Sequence, residues 1–218
     1  MICHKTKCIF IHIPRTGGTS IEVSIQGRDQ WGIESTEKHL IASTAKKIYA
    51  DFWNEYFKFS FVRNPWSRMV STCKYGDDHP KEKYRTYGCS LKNNKFSLGS
   101  YLERFPTNRE IDPRSKSANE IFGEPINNSV YMNILNEKLD FIGKLENINH
   151  DMEYVSHKIG KKLQLKNREK SKRKSKKDYK YYYTEETIQQ IQNLYDFDIK
   201  KFGYEFNEPS NKWIETKL

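Results

Sequence analysis

The apolar positions of this chain follow two different periods, and the switches between them mark its elements. Cys8 to Ile13 (CIFIHI) is a short, nearly continuous apolar run, the composition of a strand buried on both faces of a parallel sheet. Pro14 ends it, because proline cannot donate to a strand ladder. Beyond Gly17 and Gly18, Ile21 and Ile25 stand one helical turn apart, which predicts a helix capped by Thr19 or Ser20. Residues 28–39 are polar and irregular. Ser43 is then placed to cap a helix carrying Ala45, Ile48, Tyr49, Phe52, Trp53 and Tyr56 at helical spacing. Residues 57–62 (FKFSFV) alternate as a second core strand. Asn64 and Pro65 follow as the cap and first residue of another helix.

The second half is less periodic. Residues 76–96 are polar and loop-like, with Gly76, Pro80 and Gly88; a short helix is expected from Ser97 to Phe105, stopped by Pro106, and 107–129 are again irregular. Residues 139–143 (LDFIG) predict a third strand. A helix over 149–159 uses Ile148, Met152, Val155 and Ile159 and ends at Gly160. Thr184 caps a last helix that turns Ile188, Ile191, Tyr195 and Phe202 inward, with Gly203 behind it. Strands alternating with helices predict a single α/β domain over 1–218, a central, mostly parallel sheet covered on both faces. Ligands of such sheets sit beyond the carboxyl ends of the strands, where both the 14–20 loop and the Arg63 turn lie.

Composition adjusts this picture in three places. At 218 residues the chain suits one domain, and 14% aromatic residues help fill a core that is lean at 36% hydrophobic. No run of about 18 apolar residues is present and residues 1–10 lack the apolar stretch of a secretion signal, so a cytoplasmic protein with no membrane contact is expected. Cys3, Cys8, Cys73 and Cys89 show no framework spacing, which suits free thiols in a reducing compartment. Cys3, His4, Cys8 and His12 match no common zinc spacing, and no metal is expected. The formal charge is +10, of which the segment 161–180, with eleven Lys and Arg against Glu169 and Asp178, carries +9. This is a near-neutral domain with one basic segment rather than a generally basic nucleic-acid coat.

Strand, glycine loop and helix N-terminus together form a geometry that cradles a phosphate-like anion with backbone N–H groups. An ordinary strand-to-helix turn would use the same glycines and bind nothing. The stretch is not a Walker A loop: Arg15 precedes the glycines and no lysine follows them. Likewise RNPWSRMVS, residues 63–71, reads either as a plain capped helix with a surface arginine or as a phosphate site pairing an arginine fork with a serine hydroxyl.

Taken together, HIPRTGGTS at 12–20 and FVRNPWSRMVS at 61–71 resemble the two nucleotide-binding motifs of sulfotransferases that use 3′-phosphoadenosine 5′-phosphosulfate (PAPS). The branch they most resemble is the carbohydrate type, which includes the heparan sulfate 2-O- and 6-O-sulfotransferases and small bacterial and viral-like members. Residues 141–160 and 178–206 also read like the carboxyl-terminal part of those small members, so the likeness covers most of the chain apart from about 76–135. It implies that Arg15, Thr16, Gly17, Gly18, Thr19 and Ser20 hold the 5′-phosphosulfate, and that Arg63 and Ser71 hold the 3′-phosphate. It implies a metal-free, in-line transfer to an acceptor hydroxyl on a carbohydrate, with Arg15 stabilising the leaving phosphate.

His39, in KHLIASTAKK, matches a histidine at a similar place in the small members and is the expected base; His12 is the runner-up for that role, but in a core strand it is expected to be a hydrogen-bonded packing residue. Two departures stand out. The relatives carry lysine at the Arg15 position, and their Asn-Lys-Ser loop has no unique counterpart here, so Ser171 or Ser175, with Lys174 between them, would contact the nucleotide. The basic segment itself reads as a solvated loop, a nucleic-acid tail or, favoured here, a flap over the nucleotide. The competing readings are a kinase-like P-loop protein and a non-catalytic nucleotide- or nucleic-acid-binding module.

Overall fold

Side-chain alternation along two central strands decides which helix lies on which face of the sheet. The computed structural model describes residues 1–78, 89–91, 95–98, 128–165 and 177–207. The main sheet has the order β1 (Ile2–Cys3), β2 (Cys8–Ile11), β3 (Phe57–Val62) and β6 (Phe141–Lys144). β2, β3 and β6 are parallel, with Phe10 opposite Phe59 and Phe61 opposite Gly143, whereas β1 runs antiparallel along β2. Cys8, Phe10, Phe59 and Phe61 face α1 (Gly18–Gln26) and α6 (Ile148–Lys158), packing on Ile21, Ile25, Met152 and Val155. Ile9, Ile11 and Val62 point the other way, into a core built with α2 (Ala42–Ile48), α3 (Ala50–Trp53), α4 (Pro65–Asp78), α5 (Tyr131–Ile134) and α7 (Glu185–Leu194). Successive strand residues point to opposite faces, so one sequence register serves both cores. The expected α/β architecture, a mostly parallel sheet with helices on both faces, is the one observed.

Local expectations held where capping chemistry was explicit. Asn64 accepts from the Ser67 N–H at 3.2 Å at the start of α4. Thr184 and Thr187 form a reciprocal capping box at the start of α7. Gly160 and Gly203 close α6 and α8 (Asp196–Phe202) at positive φ.

Elsewhere the structure corrects the sequence reading. The first helix is capped by Gly17 at φ 84°, not by Thr19 or Ser20, which lie inside it. Ser43 caps nothing: Ile41 is the N-cap of α2, and Ser43 instead exchanges hydrogen bonds with the Asn136 amide. The single helix expected through Tyr56 breaks at Tyr49, whose phenol is drawn to Glu37 at 2.7 Å, and Ile48 is left exposed. The last helix breaks at Tyr195, which is fully buried and serves both as the end of α7 and the start of α8. α4 runs through Gly76 to Asp78, beyond the expected loop boundary. Ser97–Leu98, expected to start a helix, is strand β5 paired with β4 (Cys89–Ser90); the rest of that helix lies outside the described residues.

One buried carboxylate fixes the short helix α5 beneath the sheet edge. Asp198 is fully buried and accepts from the Ser129 hydroxyl at 2.7 Å and from the N–H groups of Val130, Tyr131 and Met132 at 2.6, 2.9 and 3.3 Å. It thereby satisfies the open end of α5, and Tyr131 in turn donates its phenol to the Arg63 carbonyl. Replacing Asp198 with alanine strands these donors away from water. Asp198→Ala is expected to lower unfolding free energy by about 2–4 kcal/mol, read as a lower urea midpoint at unchanged slope. A change within about 0.5 kcal/mol, the range of ordinary surface substitutions, would show that α5 does not depend on this carboxylate.

Candidate active site

The loops that leave β2, β3 and β6 meet at the carboxyl edge of the sheet, and hydrogen bonds join them. After β2, the chain runs through Pro14, Arg15 and Thr16 into Gly17. Arg15 has φ 67°, left-handed backbone unusual for a residue with a side chain. The carbonyl oxygens of Ile13, Pro14, Arg15 and Gly17 are each occupied. Ile13 accepts from the Thr16 hydroxyl at 2.8 Å, Pro14 from Arg68 Nε at 2.9 Å, Arg15 from Arg63 Nη1 at 3.2 Å, and Gly17 from the N–H groups of Ser20 and Ile21. Among the described residues, none accepts a hydrogen bond from the N–H groups of Thr16, Gly17, Gly18 or Thr19. In a trans peptide C=O and N–H point in opposite directions, so tying the carbonyls down on one side turns the amides to the other. Four consecutive N–H donors at the start of a nine-residue helix make an anion cradle.

Packing beneath the loop dictates Gly18, and the left-handed backbone at φ 84° dictates Gly17. A Cβ on Gly18 would lie 2.1 Å from the His12 ring, and one on Gly17 would lie 2.8 Å from Leu145 Cδ1. The glycines let the loop settle onto β2 and onto the 3-10 turn Leu145–Asn147 that follows β6.

Three arginines surround the cradle. Arg15 donates through Nε and Nη2 to Ser71 Oγ, both at 3.1 Å, and its guanidinium lies 4.6 Å above the Tyr75 ring. Ser71 and Tyr75 are one helical turn apart on α4, so one face of that helix grips Arg15. Arg63 lies along the first turn of α4, with Nε and Nη2 on Ser67 Oγ at 3.1 and 2.8 Å. Burial, helped by Arg15 and Arg68, lowers its pKa to about 10 against the pull of Glu146, so it stays a cation at neutral pH. Arg68 is almost fully buried and donates to the Tyr195 hydroxyl at 2.6 Å. Glu146 accepts from the Asn64 N–H at 2.7 Å and from the Tyr204 hydroxyl at 3.2 Å, which ties the β6 turn to the β3 turn.

The histidines sit at the end of β2. His12 is buried, stacked on Phe10, and its Nδ1 lies 2.6 Å from Glu22 Oε1. Burial holds its pKa below the ordinary value despite that carboxylate. It is a hydrogen-bonded packing residue under the loop. Glu22 also accepts from Lys38 Nζ at 2.7 Å and from the Gln30 N–H at 3.0 Å; both Glu22 and Lys38 are shut off from solvent. His39, next in the chain, is half-buried, with Nδ1 3.1 Å from the His12 carbonyl and its ring edge-on to those of His12 and Trp31. A carbonyl only accepts, so Nδ1 carries the hydrogen and, in the neutral ring, Nε2 keeps the lone pair. Burial lowers the pKa of His39 well below the ordinary histidine value, and His12 and Lys38 add to this.

Arg15, Thr16, Gly17, Gly18, Thr19, Ser20, Arg63 and Ser71 are thus brought to one sheet edge, with His39 anchored to the strand that feeds the loop. Ser171, Lys174 and Ser175 lie outside the described residues, as does most of the basic segment. At the segment's ends, Lys161 donates to the Ile25 carbonyl and Lys177 lies 3.6 Å over the Tyr181 ring. Tyr182 and Tyr183 pack against α4, with Lys74 4.5 Å from the Tyr182 ring and the Tyr183 hydroxyl on the Trp66 carbonyl.

Glu22, Lys38, Arg68, Tyr131 and Glu146 escaped the sequence reading. Arg68 stands within the RNPWSRMVS motif and Lys38 beside His39, but nothing in the pattern marks Glu22 as a buried charge. Among the described residues, no cluster of three or more His, Cys, Asp and Glu could hold a metal ion.

Comparison with known proteins agrees with this geometry. No curated protein and no solved structure matches the chain. A family model described as "Sulfotransferase family" matches residues 1–205, which include every element of the main sheet and all three edge loops. With a sheet edge that gathers main-chain amides and arginines around one loop, and a match over nearly its whole length, the chain belongs to the sulfotransferase family.

Proposed function

We propose that this sulfotransferase takes its sulfuryl group from PAPS and moves it to a carbohydrate hydroxyl, with His39 as the general base. The observation that carries the reading is the row of N–H groups from Thr16 to Thr19, which among the described residues have no acceptor, beside the occupied carbonyls of Arg15 and Gly17. Such a row suits a phosphosulfate, a phosphate ester joined through an anhydride oxygen to a sulfate, with one negative charge on each group. Bound there, PAPS would supply an activated sulfuryl group with a phosphate as its leaving group. Arg15, gripped by Ser71 and Tyr75, brings a fixed cation to the charge that grows as that phosphate departs. Arg63 and Ser71, at the start and the second turn of α4, suit a second phosphate such as the 3′ group of PAPS. The proposed carbohydrate acceptor rests on the likeness of residues 12–20 and 61–71 to the carbohydrate type of the family.

His39 supports the base role through its tautomer. Its Nδ1–H is committed to the His12 carbonyl, so Nε2 is the nitrogen able to accept a proton. Its lowered pKa keeps it neutral, hence ready to accept, throughout the neutral pH range.

Incubation with PAPS and a panel of unsulfated polysaccharides should give sulfated product; transfer only to small phenols would move the acceptor to another class. In calorimetry, adenosine 3′,5′-bisphosphate should bind about tenfold to a hundredfold more tightly than 5′-AMP, since a charge-assisted contact is worth about 1.5–3 kcal/mol. Equal affinities would remove the 3′-phosphate role from Arg63 and Ser71, and preference for ATP with Mg²⁺ would favour phosphoryl transfer.

His39→Ala should lower turnover by about 10²–10⁴-fold with nearly unchanged nucleotide affinity. The sign of the pH effect follows from the lowered pKa: the base is lost only when it is protonated, so the acid limb of kcat/KM falls below the ordinary histidine value of 6.5. An active alanine variant, or an acid limb above that value, would give the role to another group.

A further inference from the structure

The thiols of Cys73 and Cys89 lie 2.6 Å apart, closer than two unbonded sulfurs settle, although 16 positions separate them in the chain. We propose that Cys73 and Cys89 form a disulfide site that joins the back of α4 to β4. Four observations carry this. Cys73 is on α4, where Ser71 and Tyr75 share the face that grips Arg15; a residue two places from Ser71 is turned by about 200° and faces away from that grip. The bond would therefore secure the helix from behind without entering the anion cradle. Cys89 belongs to β4, which is paired with β5, so both partners are held by regular structure rather than brought together by chance. Cys73 is buried and Cys89 half-exposed, which gives an oxidant access to one sulfur and leaves the other to resolve the mixed disulfide. The surroundings are apolar and aromatic: Phe96, whose ring lies tilted 4.8 Å from that of Tyr183, is buried in the same core as Cys73.

The chemistry is thiol–disulfide exchange. The Cys89 thiolate attacks a low-molecular-weight disulfide such as oxidised glutathione, forming a mixed disulfide and releasing one thiol. The Cys73 thiolate then attacks the Cys89 sulfur and releases the second thiol. Two S–H bonds are replaced by one S–S bond; the two electrons reduce the small disulfide and the two protons end on its thiols.

The other two cysteines provide the control. Cys3 and Cys8 are opposite each other across β1 and β2, in the position next but one to Met1 and Phe10, which exchange both backbone hydrogen bonds. They form a separate pair on the far edge of the sheet, so cross-pairing with Cys73 or Cys89 would contradict the fold.

The full-length chain, treated with oxidised glutathione, alkylated and digested with trypsin without reduction, should yield residues 69–74 linked to residues 86–92. The same oxidation should raise Tm by about 6–12 °C, the effect of closing a loop of this length in a chain of this size, and dithiothreitol should reverse it. Cys89→Ser, at the half-exposed partner, should abolish the linked peptide and the shift, while Cys3→Ser should keep both. Separate alkylation of Cys73 and Cys89 after oxidation, a link from either to Cys3 or Cys8, or loss of the shift in Cys3→Ser would each overturn the proposal.

Discussion

The Glu22 carboxylate, fully buried in α1, is the constraint on which the histidine side of the site depends. Leaving such a charge unpaired inside a protein costs several kcal/mol, so its partners are not optional. Among the described residues they are Lys38 Nζ, the His12 ring and the Gln30 N–H. The pKa of Glu22 is driven down by them although burial alone would raise it, whereas burial keeps His12 low. The consistent protonation state is an ionised Glu22 paired with Lys38⁺, and a neutral His12 donating from Nδ1. Residues 28–39 bring few apolar side chains to the core; their buried members include Gln30 and Lys38. A polar anchor does for this segment what an apolar stripe does for the helices, and it sets where His39 begins.

On the other side of the loop the same economy appears in reverse. The cradle is made by occupying acceptors rather than by adding donors. Arg63 and Arg68 spend hydrogen bonds on the carbonyls of Arg15 and Pro14, and these contacts orient amides that they never touch. The two arginines are fixed in turn: Arg68 by Tyr195, and the Arg63 backbone by the Tyr131 phenol. Tyr131 owes its place to Asp198, and Tyr195 stands buried at the junction of α7 and α8. Residues more than 120 positions from the loop therefore decide which way its peptide groups face.

The fold was legible where the pattern reflects burial or explicit capping: the two long strands, the third at 139–143, the Asn64 and Thr184 caps and the glycine stops. The helix breaks at Tyr49 and Tyr195 were not, since each is made by a tyrosine whose hydroxyl finds a partner distant in sequence, Glu37 in one case and Arg68 in the other. Helical spacing continues through such a break. The two-residue edge strand β1 was too short to show a period. At the site, the loop and the arginine–serine motif could be read because glycine, arginine and serine occur at revealing intervals. Glu22 and Glu146 could not, because a buried carboxylate and an exposed one look alike in sequence, and only their three-dimensional partners distinguish them.

Arg15 shows how the departures from the family pattern carry information. A non-glycine residue at φ 67° costs of order 1–3 kcal/mol and persists only where its surroundings over-determine it. Here the carbonyl is held by Arg63 and the guanidinium by Ser71 and Tyr75. Two parallel N–H donors on one hydroxyl, together with a planar face on an aromatic ring, are contacts that a lysine ammonium cannot reproduce. The lysine that resembling sequences carry at this position would bring the same charge without the fork or the stacking. In this chain the left-handed backbone at residue 15 and the choice of arginine belong together: the strained backbone aims the side chain along α4, and the three grips on that side chain and its carbonyl hold the backbone there. The Ser71 hydroxyl completes the grip by accepting from both guanidinium nitrogens, and it still has a hydrogen to donate.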